Sequence, residues 1–284
     1  MGSLIGALLS SRHDVTLVAR QKHADAIRKR GLKVTGETEM VAHVDAVTSV
    51  PASPQDLVIV STKAYDTRTA VASLKQFWDS STFLTLQNGL RNPDIIAEEA
   101  MRVVAGTTSH GVTFVRDGVI HHAGLGDTHM GPFKGVNTMD VRKLCDEFTT
   151  CGFPATYSEN IRRDLWLKVI VNSSINPLTA IARVENGILL KLPQLNALMN
   201  MSSVEGATVA RVEGIDVPDG EAIVMSEKVA SKTAMNRSSM LQDVEKGRRT
   251  EVEEISGAIV EAARRRGIRL PVTETLASTV ADLQ

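Results

Sequence analysis

The stretch Gly2-Ser3-Leu4-Ile5-Gly6-Ala7-Leu8-Leu9, followed shortly by Val15-Thr16-Leu17-Val18-Ala19-Arg20, decides the fold class. A short apolar helical pattern runs into a β-branched strand, and a second helical pattern over 22–30 ends at Gly31. The strand signal returns at 56–61 and 82–86, with an amphipathic segment at 67–77 long enough to cross back over a sheet face. This alternation predicts an α/β architecture built on a parallel sheet. From Val103 to Gly131 the segments shorten. Asp117-Gly118 between the runs 112–115 and 119–122 predicts a β-hairpin, expected as an antiparallel extension that closes the first domain. After Tyr157 strand signals nearly vanish and helical patterns run to Leu283, broken at Pro177, Gly187, Pro193, 214–218, Gly247 and 267–271. The expected domains are therefore 1–157 and 158–284, the second all helical, with a substrate cleft between them.

A dinucleotide-binding unit of Rossmann type needs a strand, a Gly-rich turn, a helix and a second strand. Gly2 is placed to be the last glycine of that turn, with Ser3 after it, so the first strand and the first two glycines are expected to be missing by roughly ten residues. Read alone, Gly2 could equally be an ordinary terminal residue. Arg20 ends the second strand, about 20 positions beyond the turn, where an acid binds a ribose 2′-hydroxyl and an Arg accommodates a 2′-phosphate. With Lys22 nearby, Arg20 points to NADP as cofactor, since a guanidinium makes paired charge-assisted bonds to phosphate. An isolated Arg leading into a surface helix would be simply solvated.

The 284 residues carry 32 Lys and Arg against 33 Asp and Glu, a net charge of -1, which argues against a surface built for nucleic acid or anionic lipid. With 43% hydrophobic and 23% charged residues the chain is globular rather than disordered. No apolar run approaches a membrane span and the first residues lack a signal-peptide pattern, so a cytoplasmic protein is expected. Cys145 and Cys151 fit neither a redox pair nor a zinc knuckle and are expected to be reduced, ordinary residues. His121 and His122 point to opposite faces of a hairpin strand, and no HExxH or Cys-His spacing occurs, so no metal site is expected. Neither a GxSxG elbow nor a Walker loop is present.

The segment 164–177, Asp-Leu-Trp-Leu-Lys-Val-Ile-Val-Asn-Ser-Ser-Ile-Asn-Pro, is the most informative. Lys168, Asn172 and Asn176 recur at i, i+4 and i+8, one polar stripe about 12 Å long on a helix that is otherwise apolar nearly all round. A solvent-exposed stripe would be the plain alternative. On a buried helix, desolvation lowers the pKa of Lys168 and makes it a better proton donor near neutrality. A second cluster, 236–251, places Ser239 and Glu251 twelve residues apart, compatible with one helix face, although alone it reads as a charged surface helix. Lys63 and Asn88 follow strands, at the carboxyl ends where ligands of doubly wound sheets lie, or are turn chemistry only.

Taken together, these residues resemble the ketopantoate reductases (2-dehydropantoate 2-reductases) over nearly the whole chain. The matching features are Gly2-Ser3, Arg20, Lys63-Ala64, Leu86-Gln87-Asn88-Gly89, Gly106-Thr107-Thr108, Ala123-Gly124, Trp166-Lys168-Asn172-Asn176-Pro177, Asn186-Gly187, 238–243 and Thr250-Glu251. The resemblance implies NADPH-dependent reduction of 2-dehydropantoate to pantoate, a step towards pantothenate and coenzyme A. It implies that Lys168 donates the proton and that Glu251 belongs to the catalytic site and contacts cofactor or substrate. It further implies that Asn88, Asn172, Asn176, Asn186 and Ser239 bind substrate and that Lys63, Asn88 and Ala123 contact cofactor. The lost first strand and paired glycines depart from the family pattern. A related reductase of another 2-keto acid, or a catalytically impaired NADP-binding protein, are the rival expectations. The expected partner is a small-molecule substrate, with no nucleic acid and no membrane. A homodimer is left open.

Overall fold

Helix α1 (Gly2–Leu9) is apolar and buried from Leu4 to Leu9, and it packs so closely on strand β1 (Thr16–Val18) that a Cβ on Gly6 would lie 2.6 Å from Leu17 Cδ2. In this computed structural model, which describes residues Met1–Gln284, α1 opens a unit made of Met1–Gln87 and Asn92–Ile161. The second unit comprises Asn88–Arg91 and Arg162–Gln284.

In the first unit, α2 (Gln21–Arg30) leads to β2 (Leu32–Gly36), β3 (Met40–Ala42) and β4 (Asp45–Val47), then to β5 (Leu57–Val60), α3 (Thr67–Ala72) and β6 (Thr82–Thr85). After α4 (Asn92–Glu99) come β7 (Arg102–Thr108), β8 (Gly111–Arg116), β9 (Val119–Gly124), β10 (Thr128–Lys134), α5 (Thr138–Thr150) and β11 (Thr156–Tyr157). The main sheet has the order β11-β10-β7-β6-β5, parallel from β5 to β7, while β1 pairs in parallel with β4. Period-2 alternation splits its side chains between two cores. Phe83 and Val103 pack with Val71 and Ile96, whereas Leu84 and Val104 join Leu4, Val141 and Phe148. Helices therefore cover both faces of a largely parallel sheet, the Rossmann-type arrangement.

Two expectations about this unit need correction. The β8–β9 hairpin forms, but β9 pairs in parallel with β2, giving a separate four-stranded sheet β3-β2-β9-β8. The antiparallel strand added to the main sheet is β10 instead, against β7. Edge pairing between strands remote in sequence decides this, and local turn chemistry cannot report it. The segment 67–77 is also not one helix. It stops at Ala72, where the Ser73 hydroxyl donates to Ala70 O, and resumes as a 3-10 turn at Lys75–Phe77.

The hairpin carries a buried histidine pair. His110 Nδ1 lies 3.0 Å from His122 Nε2, His122 Nδ1 lies 2.9 Å from Thr38 Oγ1, and His110 stacks on Phe153 at 4.5 Å. His121, on the opposite face, is exposed beside Thr35. Burial lowers the pKa of both His110 and His122, with repulsion from each other or from His121 adding to it and Asp127 and Glu37 opposing. The unfolded chain thus binds more protons than the folded one below about pH 6.5, so stability is lost as pH falls. The melting temperature should drop between pH 7 and 5, and the slope should flatten in a His110→Gln/His122→Gln double variant. Equal slopes for the two proteins would refute this origin.

The second unit is helical, with α6 (Ile161–Ala182), α7 (Ile188–Lys191), α8 (Pro193–Val212), α9 (Asp219–Lys232), α10 (Ser239–Glu245), α11 (Val252–Arg265) and α12 (Pro271–Ala281). Pro193 and Pro271 start helices, as proline's fixed φ allows. Pro177 does not break α6, contrary to the sequence expectation. Proline removes one backbone bond, but Val169, Ile170, Val171, Ile175 and Leu178 are buried around the helix, and packing of this extent outweighs the loss. No helix is long and apolar enough to cross a membrane.

Candidate active site

In the helical unit, α6 carries Lys168, Asn172 and Asn176 at successive turns of one continuous helix, Asn176 buried and the other two half-buried. Glu251 caps the start of α11 and is itself buried. Its carboxylate Oε2 accepts from Asn88 Nδ2 at 3.4 Å. Lys168 feels that carboxylate. Burial of the amine lowers its pKa to about 8, and the charge of Glu251 holds it from falling further. Lys168, Glu251 and Asn88 thus come together, although they lie far apart in the sequence.

A second group gathers around the other end of the stripe. Thr179 Oγ1 donates to Asn176 O at 2.9 Å and to Ser238 Oγ at 2.7 Å, and Ser238 caps α10 by accepting from Leu241 N. Ser239, the first residue of α10, is exposed beside it. The loop before α10 is tied to Asn186-Gly187, since Asn186 N donates to Asn236 O and Gly187 N to Ala234 O. Asn186 is buried. Its Nδ2 donates to Thr233 Oγ1 at 2.8 Å, while its Oδ1 has no hydrogen-bond partner, leaving an acceptor for a bound donor.

Ser239 and Glu251 do not share a helix face, as their spacing allowed. Gly247, at φ 56, ends α10 in the left-handed region, and Arg248 N closes the cap on Asp243 O at 2.8 Å. Glu251 therefore starts a new helix. The sequence reading also missed Glu254, whose carboxyl is pushed up by burial, whose Oε2 has no partner, and whose Oε1 lies 3.8 Å from Arg249.

In the sheet unit, a Cβ on Gly2 would overlap Ser61 Oγ, so the start of α1 lies directly against the end of β5. Ser3 Oγ lies 3.2 Å from His23 Nε2. Lys63 follows β5 half-buried, and Arg20 is exposed as the N-cap of α2. Ala123 is exposed on β9, in the four-stranded sheet. Neither α1 nor α2 has an acid in its first turn. Helix N-termini free of carboxylates, beside Arg20, Lys22 and Lys63, fit an anionic dinucleotide.

Gln87 is a further residue missed. It is buried at the end of β6, where its Nε2 donates to Thr62 O and Thr67 Oγ1, both at 2.9 Å, and Thr67 Oγ1 donates to Asn92 Oδ1 at 2.7 Å. This network fixes the loops after β5 and β6 and so the backbone from which Lys63 projects. The cue in the sequence was a polar Gln ending an apolar strand.

The family described as Ketopantoate reductase PanE/ApbA matches residues 1–135, and Ketopantoate reductase PanE/ApbA C terminal matches residues 160–284. The 2-dehydropantoate 2-reductase of Halobacterium salinarum is 39% identical over 287 residues, spanning 99% of this chain and 94% of that protein. The enzyme of the same name from Bacillus subtilis is 31% identical over 288 residues, spanning 100% and 94%. Among solved structures, D-mandelate dehydrogenase with NADH and anilino(oxo)acetate aligns with a TM-score of 0.94 at 26% identity, covering 100% of this chain and 95% of that one. The PanE/ApbA family ketopantoate reductase from Ralstonia eutropha aligns with a TM-score of 0.88 at 29% identity, covering 98% and 93%. With both halves matched and identity sustained along the full length, this chain belongs to the ketopantoate reductase family.

Proposed function

We propose that the chain reduces 2-dehydropantoate to pantoate with NADPH, in the route to pantothenate and coenzyme A. The observation that carries this reading is Lys168, an amine with its pKa lowered to about 8, electrostatically coupled to a buried carboxylate that Asn88 holds. A pKa near the working pH suits a general acid. When bound, the reduced nicotinamide supplies hydride to the ketone carbon. Lys168 hydrogen-bonds the ketone oxygen through Nζ and gives it a proton as negative charge develops there. Glu251 keeps Lys168 charged, and Asn88 keeps Glu251 in place. Asn172, Asn176, Asn186 and Ser239 are neutral groups suited to the substrate's carboxylate and hydroxyl, and they leave the charge balance at Lys168 undisturbed. Gly2, Ser3, Arg20, Lys63, Asn88, Ala123 and Glu251 are the cofactor-contacting set in this reading, with Arg20 selecting the phosphate of NADP.

Because the Glu251 charge raises the Lys168 pKa against desolvation, Glu251→Gln should move the alkaline limb of the kcat–pH profile from about 8 to lower pH. A limb that stays in place would remove Glu251 from this role.

The TM-score of 0.94 with D-mandelate dehydrogenase favours a second reading, a reductase of an aromatic 2-keto acid. Steady-state kinetics with NADPH and NADH across branched aliphatic and aromatic 2-keto acids separate the two. The highest kcat/KM on 2-dehydropantoate supports the first, the highest on an aromatic substrate supports the second, and no turnover with any 2-keto acid overturns both.

A further inference from the structure

We infer that His13, Glu147 and Cys151 form a binding site for one divalent transition-metal ion of zinc character. Their ligand atoms, one nitrogen, one oxygen and one sulfur, all lie within 4.8 Å of one another. Glu147 sits in the last turn of α5 and Cys151 is its C-cap, an i, i+4 pair on one face whose helical geometry is kept by Cys151 N donating to Glu147 O at 3.0 Å. His13 arrives from the turn between α1 and β1, where its backbone N–H donates to Leu9 O at 3.0 Å. No sequence spacing could announce this set, because the histidine comes from the opposite end of the sheet unit.

A tetrahedral ion would draw the three ligand atoms closer together than they stand. With zinc–nitrogen and zinc–oxygen bonds of about 2.0 Å and a zinc–sulfur bond of about 2.3 Å, neighbouring ligand atoms are separated by roughly 3.3–3.7 Å. His13 Nε2 already stands 3.3 Å from Glu147 Oε2, so Cys151 has only to close in. Its thiol is buried, whereas His13 and Glu147 are about half exposed, so the ion would rest on the thiolate with its fourth position open to water. One carboxylate and one thiolate balance the two charges of the ion, and the thiol proton leaves to solvent on binding. Sulfur and imidazole ligands select against calcium and magnesium, which take oxygen sets. Arg12, with Nε 4.0 Å from Glu147 Oε2, is exposed and gives up that weak pair at little cost. No residue of the proposed reduction takes part. The bound ion would clip the turn after α1 to the end of α5 and stabilise the sheet unit.

Cys145, on the same helix, supplies the control. It is buried with no such partners, and burial pushes its thiol up to about 11. The chelator-stripped full-length chain should take up one equivalent of Co2+ with a thiolate-to-cobalt charge-transfer band, and Zn2+ should displace it and raise the melting temperature. His13→Ala and Cys151→Ser should each abolish the band and weaken Zn2+ binding by at least about tenfold, while Cys145→Ser keeps both. Should Cys151→Ser fail to fold, His13→Asn and Glu147→Gln, both at exposed positions, decide by the same readouts. The absence of the charge-transfer band in the wild-type chain, or Zn2+ binding of unchanged affinity in the His13 and Glu147 variants, overturns the site.

Discussion

Replacing Lys168 by alanine is expected to lower kcat on the preferred 2-keto acid by about 10²–10⁴-fold, the range of a lost general acid. The loss should be larger in kcat than in KM, because the proton is delivered as charge develops on the ketone oxygen, so the interaction strengthens in the transition state. Stability should change little or rise, since a half-buried amine whose pKa is lowered to about 8 is an electrostatic cost to the folded state. The sign follows from the lowered value. Between about pH 8 and the ordinary lysine pKa the unfolded chain holds the proton and the folded chain has released it, so Lys168 makes stability fall as pH drops through that window. Lys168→Met should therefore combine near-complete loss of turnover with a melting temperature at least equal to that of the wild type at pH 7. A variant that melts lower yet keeps turnover would assign Lys168 to packing and remove it from the chemistry.

The polar stripe on α6 was legible because helical period is a local property. Three polar residues at i, i+4 and i+8 among Leu165, Val169, Ile170, Val171 and Ile175 imply a helix buried on most sides, and burial implies a lowered amine pKa. What faces Lys168 was not legible in that way. Glu251 acts on it from a helix start and Asn88 holds Glu251 from a strand end; their positions in the sequence marked both as candidates, but only the family resemblance gave them a role in advance. The continuity of α6 through Pro177 is a case of packing overriding a local rule, as is the pairing of the β8–β9 hairpin with β2. Both outcomes depend on surfaces supplied by distant segments. The same holds for Gln87, Thr67 and Asn92, whose bonds close a network between three separate stretches of the sheet unit. His110 and His122 are the contrasting case: twelve residues apart in the sequence, they meet because the antiparallel β8–β9 hairpin sets Val112 opposite His122 and so brings His110 beside it.

Changing Arg20 to alanine should cost NADPH about 10–100-fold in kcat/KM and leave NADH nearly untouched, so that the preference between them collapses. The magnitude follows from a charged group making hydrogen bonds to phosphate, about 1.5–3 kcal/mol, where each 1.4 kcal/mol is tenfold. Arg20 is exposed, so salt screens part of its attraction, and the effect should be largest at low ionic strength. The loss should fall mainly on the cofactor KM, because the 2′-phosphate lies far from the reacting carbon and is held equally before and during the reaction. Arg20→Lys keeps the charge and gives up the paired geometry, so it should fall between wild type and alanine. Arg20→Asp should go further and favour NADH, since a carboxylate repels the phosphate and accepts from a ribose hydroxyl. Lys22, two residues on, should blunt the alanine effect by supplying a second cation, which predicts a greater loss in the Arg20→Ala/Lys22→Ala double variant than in either single one. Equal kinetic constants for the two cofactors in the wild-type chain would sink the argument at its root, and would move the reading towards NADH, the cofactor bound in the D-mandelate dehydrogenase structure.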